Sequence, residues 1–514
     1  MTNISVHPQT GGTWQRFWLG IVVALIFAVG IGVRLYDLTD LPLDFHPTRQ
    51  LHSALIARGM YYQNLETAPD WQRELAVRQW KAEGLIEPQI LESLTALTYR
   101  LAGGDYLWIP RLYSILFWTL GGVALLLLAL DLAGGMGAVI ALMFYFLSPY
   151  AVQASRAFMP DPMMVMLMIF SFWAATRWLR SMNNNGRGSW GWAVAAGILT
   201  GIAMLTKSVA GFFLLFIWMG LVLTGPGLKR AIKSTQVWVI VFLAVLPSIV
   251  YYLYGTLVVH LLQGQFSLRF FPQLWKDPAF YLRWLGEVKG VIGFGWLLTA
   301  LLGSLVVRNR TLRAGLLGWW IGYVIYGMVF AYHISTHDYY TLPLVPAAAL
   351  GIGSAGEALL ARMRSSSRWL QAAAALVLLA GIVFPAYDAR TTLKKADYRS
   401  EATAWKRIGS QFAPEDGVVG LTSNYGASLE YWGWRSITVW QYAADVSMRE
   451  LAGQTIDFKS EFTNKTAGND YFLITNFGEL DKQPALKEIL AQNYPLIRQE
   501  ADFWIYDLQH PLNP

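Results

Sequence analysis

Long runs of this chain contain no Asp, Glu, Lys or Arg: 17–33, 112–130, 132–155, 162–176, 188–206, 208–228, 234–259, 290–307, 314–332, 339–356 and 369–387. A helix that crosses a bilayer needs about 20 predominantly apolar residues. A soluble core would instead break its apolar residues into short, periodic stretches. The run 162–176 is short, and Arg177 at its end can snorkel to the interface. The expected fold class is therefore a polytopic α-helical membrane protein with about eleven spans.

Composition agrees with that reading and narrows it. Charged residues are 14% of the chain, against roughly 25% in soluble domains, and mean hydropathy is +0.36. The net charge of +7 does not signal nucleic acid, because the basic residues are scattered through short loops rather than gathered along a groove. Four of those loops carry Arg177/Arg180/Arg187, Lys229/Arg230/Lys233, Arg308/Arg310/Arg313 and Arg362/Arg364/Arg368. Counted from a cytoplasmic N-terminus, all four fall on the inner side, as the positive-inside rule requires. An odd number of spans then puts the C-terminus outside, in a multi-pass protein of the cytoplasmic membrane. The first apolar run follows Arg16 and lacks a small-residue cleavage site, so it reads as a retained span. The chain has no cysteine, which excludes thiolate catalysis, Cys-ligated zinc, iron–sulfur clusters and disulfides.

Two outer segments are too long to be mere connectors. Residues 34–111 contain three helix-like stretches, 47–62, 71–82 and 88–101, with Pro47 and Pro88 suited to first helical positions. The second outer loop, 260–289, is aromatic and holds Arg269. From about Asp388 the composition changes. Short apolar runs at 418–422, 437–440, 471–475 and 503–506 read as strands, with helices at 401–412, 427–432 and 483–492 between them. The organisation expected is a membrane domain over 1–387 and a small extracytoplasmic α/β domain over 388–514. No Gly-rich dinucleotide fingerprint appears in it, and Asn183–Gly188 is a plain inner loop.

The densest ionisable cluster follows the first span: Arg34, Asp37, Asp40, Asp44, His46, Arg49, His52 and Arg58. A helix starting at Pro47 would offer free N–H groups and a positive dipole end to an anion, with Arg49 in its first turn as a bidentate phosphate grip. Asp44 and His46 are candidate general bases. Against this stands a plainer reading, in which Asp44 caps the helix and the histidines face water. Glu87, before Pro88, and Asp161, in Arg156-Ala157-Phe158-Met159-Pro160-Asp161-Pro162, are further outer carboxylates that either cap helices or face a cavity. Lys207 interrupts an apolar stretch and either snorkels or holds an anion. His337-Asp338-Tyr339-Tyr340 opens the tenth run. A divalent metal at these carboxylates and His337 has only a weak signal, since no HxxH or HExxH spacing occurs. Neither GxSxG nor a Walker A lysine is present.

In this order, the residues resemble the GT-C membrane glycosyltransferases, especially the protein O-mannosyltransferase and aminoarabinose-transferase branch. The resemblance covers roughly residues 16–387. It rests on the topology, on Thr48-Arg49, Glu87-Pro88, Arg111, Asp161 and Lys207, on Gln265-Phe266-Ser267-Leu268-Arg269-Phe270, and on Tyr339-Tyr340-Thr341-Leu342-Pro343-Leu344-Val345-Pro346. It implies transfer of a sugar from a polyprenyl phosphate to an acceptor lipid, glycan or protein outside the membrane, with inversion at the anomeric carbon. In that family an Asp-Glu pair commonly precedes the position of Thr48-Arg49; here His46-Pro47 stands there and the nearest acid is Asp44. The resemblance then implies Asp44 as base with His46 as its rival. It implies Arg49, Lys207 and Arg269 on the donor phosphate, and Glu87 and Asp161 on the acceptor or a metal.

Two other classes compete. A transporter or flippase would place polar residues in mid-span and break its helices there, whereas this chain keeps its ionisable residues at the outer ends. A non-catalytic assembly or sensor protein would leave the charged segment 34–111 without a task.

Overall fold

The computed structural model describes residues 13–85, 87–185, 188–258, 260, 262, 268–363 and 365–512. Gln265, Phe266 and Ser267, and the loop residues Arg187 and Arg364, lie outside them. The chain divides into two compact units. One comprises Met1–Leu38, Leu85–Pro88 and Arg111–Lys395; the other comprises Thr39–Gly84, Gln89–Pro110 and Ala396–Pro514. The segment 34–111 is thus shared between them.

The first unit is helical, and the protein is a multi-pass membrane protein. Seven of its helices are long and apolar enough to span: Phe17–Leu35, Trp108–Leu132, Asp161–Met182, Thr235–Val258, Arg310–Val329, Asp338–Met363 and Arg368–Lys395. Pro278–Val291 and Phe294–Leu305 form a pair bent by 88°, which makes eight if counted as one span. The remaining apolar runs lie on the shorter helices Gly135–Leu147, Trp190–Thr206 and Ala210–Thr224. The run 132–155 is not one helix. It breaks at Ser148, which is extended (φ −56°, ψ 125°) ahead of Pro149 and a second short helix, Pro149–Ala154.

Small residues set the helix spacing. A Cβ on Gly303 would lie 1.8 Å from the Gly351 carbonyl oxygen, so Phe294–Leu305 and Val345–Met363 meet backbone to backbone. Three buried arginines fix the C-terminal end of the first span. Arg34 donates to the Ser155 hydroxyl at 2.7 Å and to the Gly30 and Phe146 carbonyls at 2.8 Å. Arg156 donates to the Tyr36 and Asp37 carbonyls at 2.9 Å, and Arg111 to Leu38 at 3.2 Å. In these contacts all three hold backbone carbonyls, and Arg34 also holds the Ser155 hydroxyl.

The second unit joins the helices Pro47–Tyr62, Asp70–Ala82 and Ile90–Ala102 to an α/β layer. The third of these begins at Ile90 with Gln89 as its cap residue, not at Pro88. Its sheet has five strands, β1 (Val418–Leu421), β2 (Thr438–Val439), β3 (Tyr471–Ile474), β4 (Leu496–Gln499) and β5 (Trp504–Asp507), in the order β2-β1-β3-β5-β4. β1 runs parallel to β2 and β3, whereas β5 is antiparallel to β3 and β4. Val419, Leu421, Trp440, Phe462, Phe472 and Ile474 are buried in its core. Asp40 accepts from the Tyr398 N–H at 3.0 Å, and buried Arg58 bonds the carbonyls of Glu430 and Tyr431. These contacts tie the segment after the first span to the C-terminal part of the same unit.

Candidate active site

Within the membrane unit, four of the residues singled out from sequence converge on the ammonium of a fifth, Lys207. The helix Trp190–Thr206 ends at Lys207, which turns extended (φ −157°, ψ 117°) and directs its side chain into the protein with 7% of the residue exposed. Its Nζ donates to both Asp161 oxygens, at 3.0 and 3.1 Å. Asp161 is 3% exposed and opens the helix Asp161–Asn185, where the positive dipole end favours a carboxylate. Glu87 approaches the same nitrogen at 3.9 Å. The ammonium also lies 5.1 Å from the Tyr339 ring centroid and 5.8 Å from that of Tyr340, within cation–π range.

The tyrosines are held by the 3₁₀ turn Asp338–Leu344. Tyr150 donates its hydroxyl to Asp338 at 2.9 Å, and Trp319 donates to the Pro343 carbonyl at 2.9 Å. Tyr340 stacks on Tyr326 (5.9 Å, 6°) and on His333 (5.6 Å, 28°), and His333 in turn stacks on His337 (6.2 Å, 27°). Burial, then His337 and Arg269, hold the His333 imidazole down to about 4, so it is neutral at pH 7. That coupling sets Arg269 electrostatically beside the histidine stack. Neither Tyr150 nor His333 was singled out from the sequence. The only local signal for His333 was its place four residues before His337.

Two carboxylates face one ammonium here. Asp161 holds the ammonium directly, and Glu87 at 3.9 Å is the weaker partner. The same arrangement does not fit a metal, because a cation between Glu87 and Asp161 would sit against Lys207. Among the described residues no group of three or more His, Asp or Glu side chains could hold one.

The other unit carries Asp44, His46 and Arg49. The cap residue of Pro47–Tyr62 is His46, not Asp44; it is left-handed (φ 42°, ψ 61°) and makes no side-chain cap bond. Asp44 is half-buried and electrostatically close to Tyr398, whose phenol is pushed up by burial and then by Asp44 and Asp40. Arg49 lies in the first helical turn, its N–H bonded to the His46 carbonyl at 3.0 Å. His52 pairs with Glu83 through Nδ1 and Oε2.

Residues 87–253, about a third of the chain, match the family described as dolichyl-phosphate-mannose-protein mannosyltransferase. No curated protein matches the chain by sequence. Among solved structures it is similar to ArnT from Cupriavidus metallidurans bound to undecaprenyl phosphate, with TM-score 0.61 and 16% identity over 96% of this chain and 98% of that one. It is also similar to the Archaeoglobus fulgidus oligosaccharyltransferase in the apo form, with TM-score 0.55 and 11% identity over 98% of this chain and 76% of that one. The same archaeal enzyme in complex with Zn and sulfate gives TM-score 0.53 at 13% identity, over 96% and 74% of the two chains. The resemblance read from the sequence therefore holds at the level of architecture: the chain has the GT-C glycosyltransferase fold.

Proposed function

We propose that the protein moves a sugar from a polyprenyl-phosphate donor to an acceptor hydroxyl at the outer face of the cytoplasmic membrane, with its N-terminus cytoplasmic and its C-terminal α/β part extracytoplasmic. The observation that carries this reading is Lys207, buried at a helix end and held by Asp161, Glu87, Tyr339 and Tyr340. The undecaprenyl phosphate named in the ArnT structure supports the donor class.

The chemistry assigns the remaining roles. The anomeric C1–O bond to phosphate breaks, a new bond forms from the acceptor oxygen with inversion at C1, and polyprenyl phosphate departs. A base must take the hydroxyl proton while cations neutralise the leaving phosphate. Asp44 is the proposed base, with His46 as the rival; Arg49, Lys207 and Arg269 are the phosphate cations. Glu87 and Asp161 hold Lys207 and orient the acceptor. The acceptor is a lipid, a glycan or a protein.

The test uses the whole protein in lipid nanodiscs with polyprenyl-phosphate-linked hexose and pentose donors, scoring transfer or slow hydrolysis. Asp44→Asn should abolish turnover with unchanged thermal melting. Full activity in that variant moves the base to His46. Translocation of the lipid-linked sugar without cleavage would replace the transferase reading with a flippase.

A further inference from the structure

The parallel half of the sheet contains a topological feature that the membrane unit does not use. From β1 the chain crosses to β2 on one flank and then returns past β1 to β3 on the other. Adjacent β1 and β3 are therefore followed by connections that leave in opposite directions. In open α/β sheets, ligands bind beyond the carboxyl ends of the strands at such a switch point.

What lies at that end is polar and aromatic. The loops after β1 and β3 are joined by the Ser423 N–H donating to the Thr475 hydroxyl at 3.0 Å. Asn424, Tyr425 and Gly426 are all left-handed, at φ 55°, 54° and 83°. Asn424 tolerates that region, but the aromatic Tyr425 does not, and such strain gathers at ligand sites. The Tyr425 ring stacks on Tyr442 at 4.0 Å and 15°. Tyr442 donates its hydroxyl to the Thr422 carbonyl at 2.5 Å, and the Asn476 amide reaches the same hydroxyl at 3.4 Å. Asp445 accepts from the Tyr442 N–H at 2.9 Å and from the Tyr425 hydroxyl at 3.3 Å. Thr422 is 1% exposed, and its Oγ1 has no hydrogen-bond partner among the described residues. That oxygen lies under the loop, 3.6 Å from where a Cβ on Gly426 would stand.

The charge here selects the ligand. The carboxyl groups at this edge are Asp445 and Glu479, and Arg449, on the helix of Asp445, is taken up by Gln441, Gln454 and Glu461. Of the neighbouring lysines, Lys482 is on Glu479 at 3.2 Å and Lys465 donates to the Val439 carbonyl at 2.7 Å. Phosphates and nucleotides do not suit such a rim. A carboxylate, two primary amides and a tyrosine ring match vicinal hydroxyls on one side and a C–H face on the other.

We propose that the carboxyl end of β1 and β3, lined by Thr422, Asn424, Tyr425, Tyr442, Asp445 and Asn476, is a saccharide-binding site for a neutral sugar unit. The proposal does not depend on the transferase reading. If both hold, the site presents a glycan acceptor.

The test is saturation-transfer NMR on the full-length protein in nanodiscs with neutral trisaccharides of glucose, galactose, mannose, arabinose and N-acetylglucosamine, and with inorganic phosphate and ADP as anionic probes. At least one saccharide should bind saturably. Asn476→Ala and the more conservative Tyr442→Phe should each weaken it by about tenfold or less, consistent with one lost hydrogen bond. Lys207→Ala should leave this binding unchanged while transfer fails, which separates the two readings. The proposal is overturned if no saccharide saturates, if phosphate or ADP binds instead, or if both variants melt normally and bind as the wild type does.

Discussion

Lys207 in the membrane unit and Arg58 in the other unit are both buried cations under two aromatic rings, but their remaining partners differ in kind. Lys207 faces two carboxylates, Asp161 and Glu87. Arg58 is 1% exposed and lies 4.5 Å from the Tyr431 ring and 4.2 Å from that of Trp434. It donates to neutral acceptors, the Gln79 amide at 2.6 Å and the Glu430 carbonyl at 2.9 Å, as well as the Tyr431 carbonyl. Burial pushes its guanidinium below the ordinary range, with Asp105 among the opposing charges. A cation whose two terminal nitrogens are spent on carbonyls and an amide from distant parts of the chain serves architecture. A lysine at the meeting of two carboxylates and two rings keeps charges that a substrate can rearrange. The comparison predicts that one cation governs turnover and the other stability.

The sharpest way to break it is to remove each in turn. Lys207→Ala should lower kcat by on the order of 10²–10³, as loss of a preorganised charge partner does. Asp161→Asn should fall in the same range, and both should shift melting less than they shift rate. Arg58→Met should do the opposite. Leaving the Glu430 and Tyr431 carbonyls and the Gln79 amide without their donor should cost on the order of 3 kcal/mol. The readout is a lower first melting transition of the whole protein and faster proteolysis within 39–84 and 396–514. If Arg58→Met abolished turnover at unchanged melting, the division between the two cations would be wrong.

Much of the Lys207 site was legible because Asp161 and Lys207 stand at the ends of apolar runs, where desolvation tolerates only a paired or working charge, and Glu87 stands before a helix-starting Pro88. Tyr339 and Tyr340 were visible beside His337-Asp338 at the start of the run 339–356, and the structure brings all five together. Their pairing was not visible, since Glu87, Asp161 and Lys207 come from three distant segments. Tyr150 and His333 escaped notice because tyrosine and histidine at helix ends read as ordinary interfacial residues. In the other unit, β4 (Leu496–Gln499) is exposed along its length and shows no alternation to betray an edge strand. The helix Ala443–Leu451 has no buried residue, so no apolar stripe announced it. The left-handed backbone at Tyr425 is likewise invisible, because an aromatic residue has no preference for positive φ.

A smaller effect tests the Arg58 side of the comparison through pH. Glu430 is pushed up to about 8 from 4.5 by burial and then by Glu83, against the opposing pull of Arg58 and the Ile437 N–H. Its folded form therefore holds a proton that the unfolded chain gives up near 4.5. The stability it contributes is complete below 4.5 and is lost as pH rises toward 8. The slope within that window is at most about 1.4 kcal/mol per pH unit. Melting of the wild type should fall from pH 5 to pH 8, and Glu430→Gln should flatten the decline. A wild-type curve that rises over the same range would place a charged carboxylate beside Arg58.

The smallest expected effect sharpens the Lys207 side. Tyr150 donates to Asp338, whose turn sets Tyr339 and Tyr340 over Lys207. It is thus a positioning residue, and Tyr150→Phe removes one hydrogen bond worth roughly 1 kcal/mol. Because Asp338 then loses a donor without losing its place on the 3₁₀ turn, the rings should drift rather than unfold. The expected result is a fall in kcat of about tenfold or less with little change in melting. A merely structural hydroxyl would move melting and leave kcat alone. Asp338→Asn, which can still accept from Tyr150, should then retain most of the wild-type kcat. A loss there as deep as that of Lys207→Ala would instead make the Asp338 charge itself part of the reacting site.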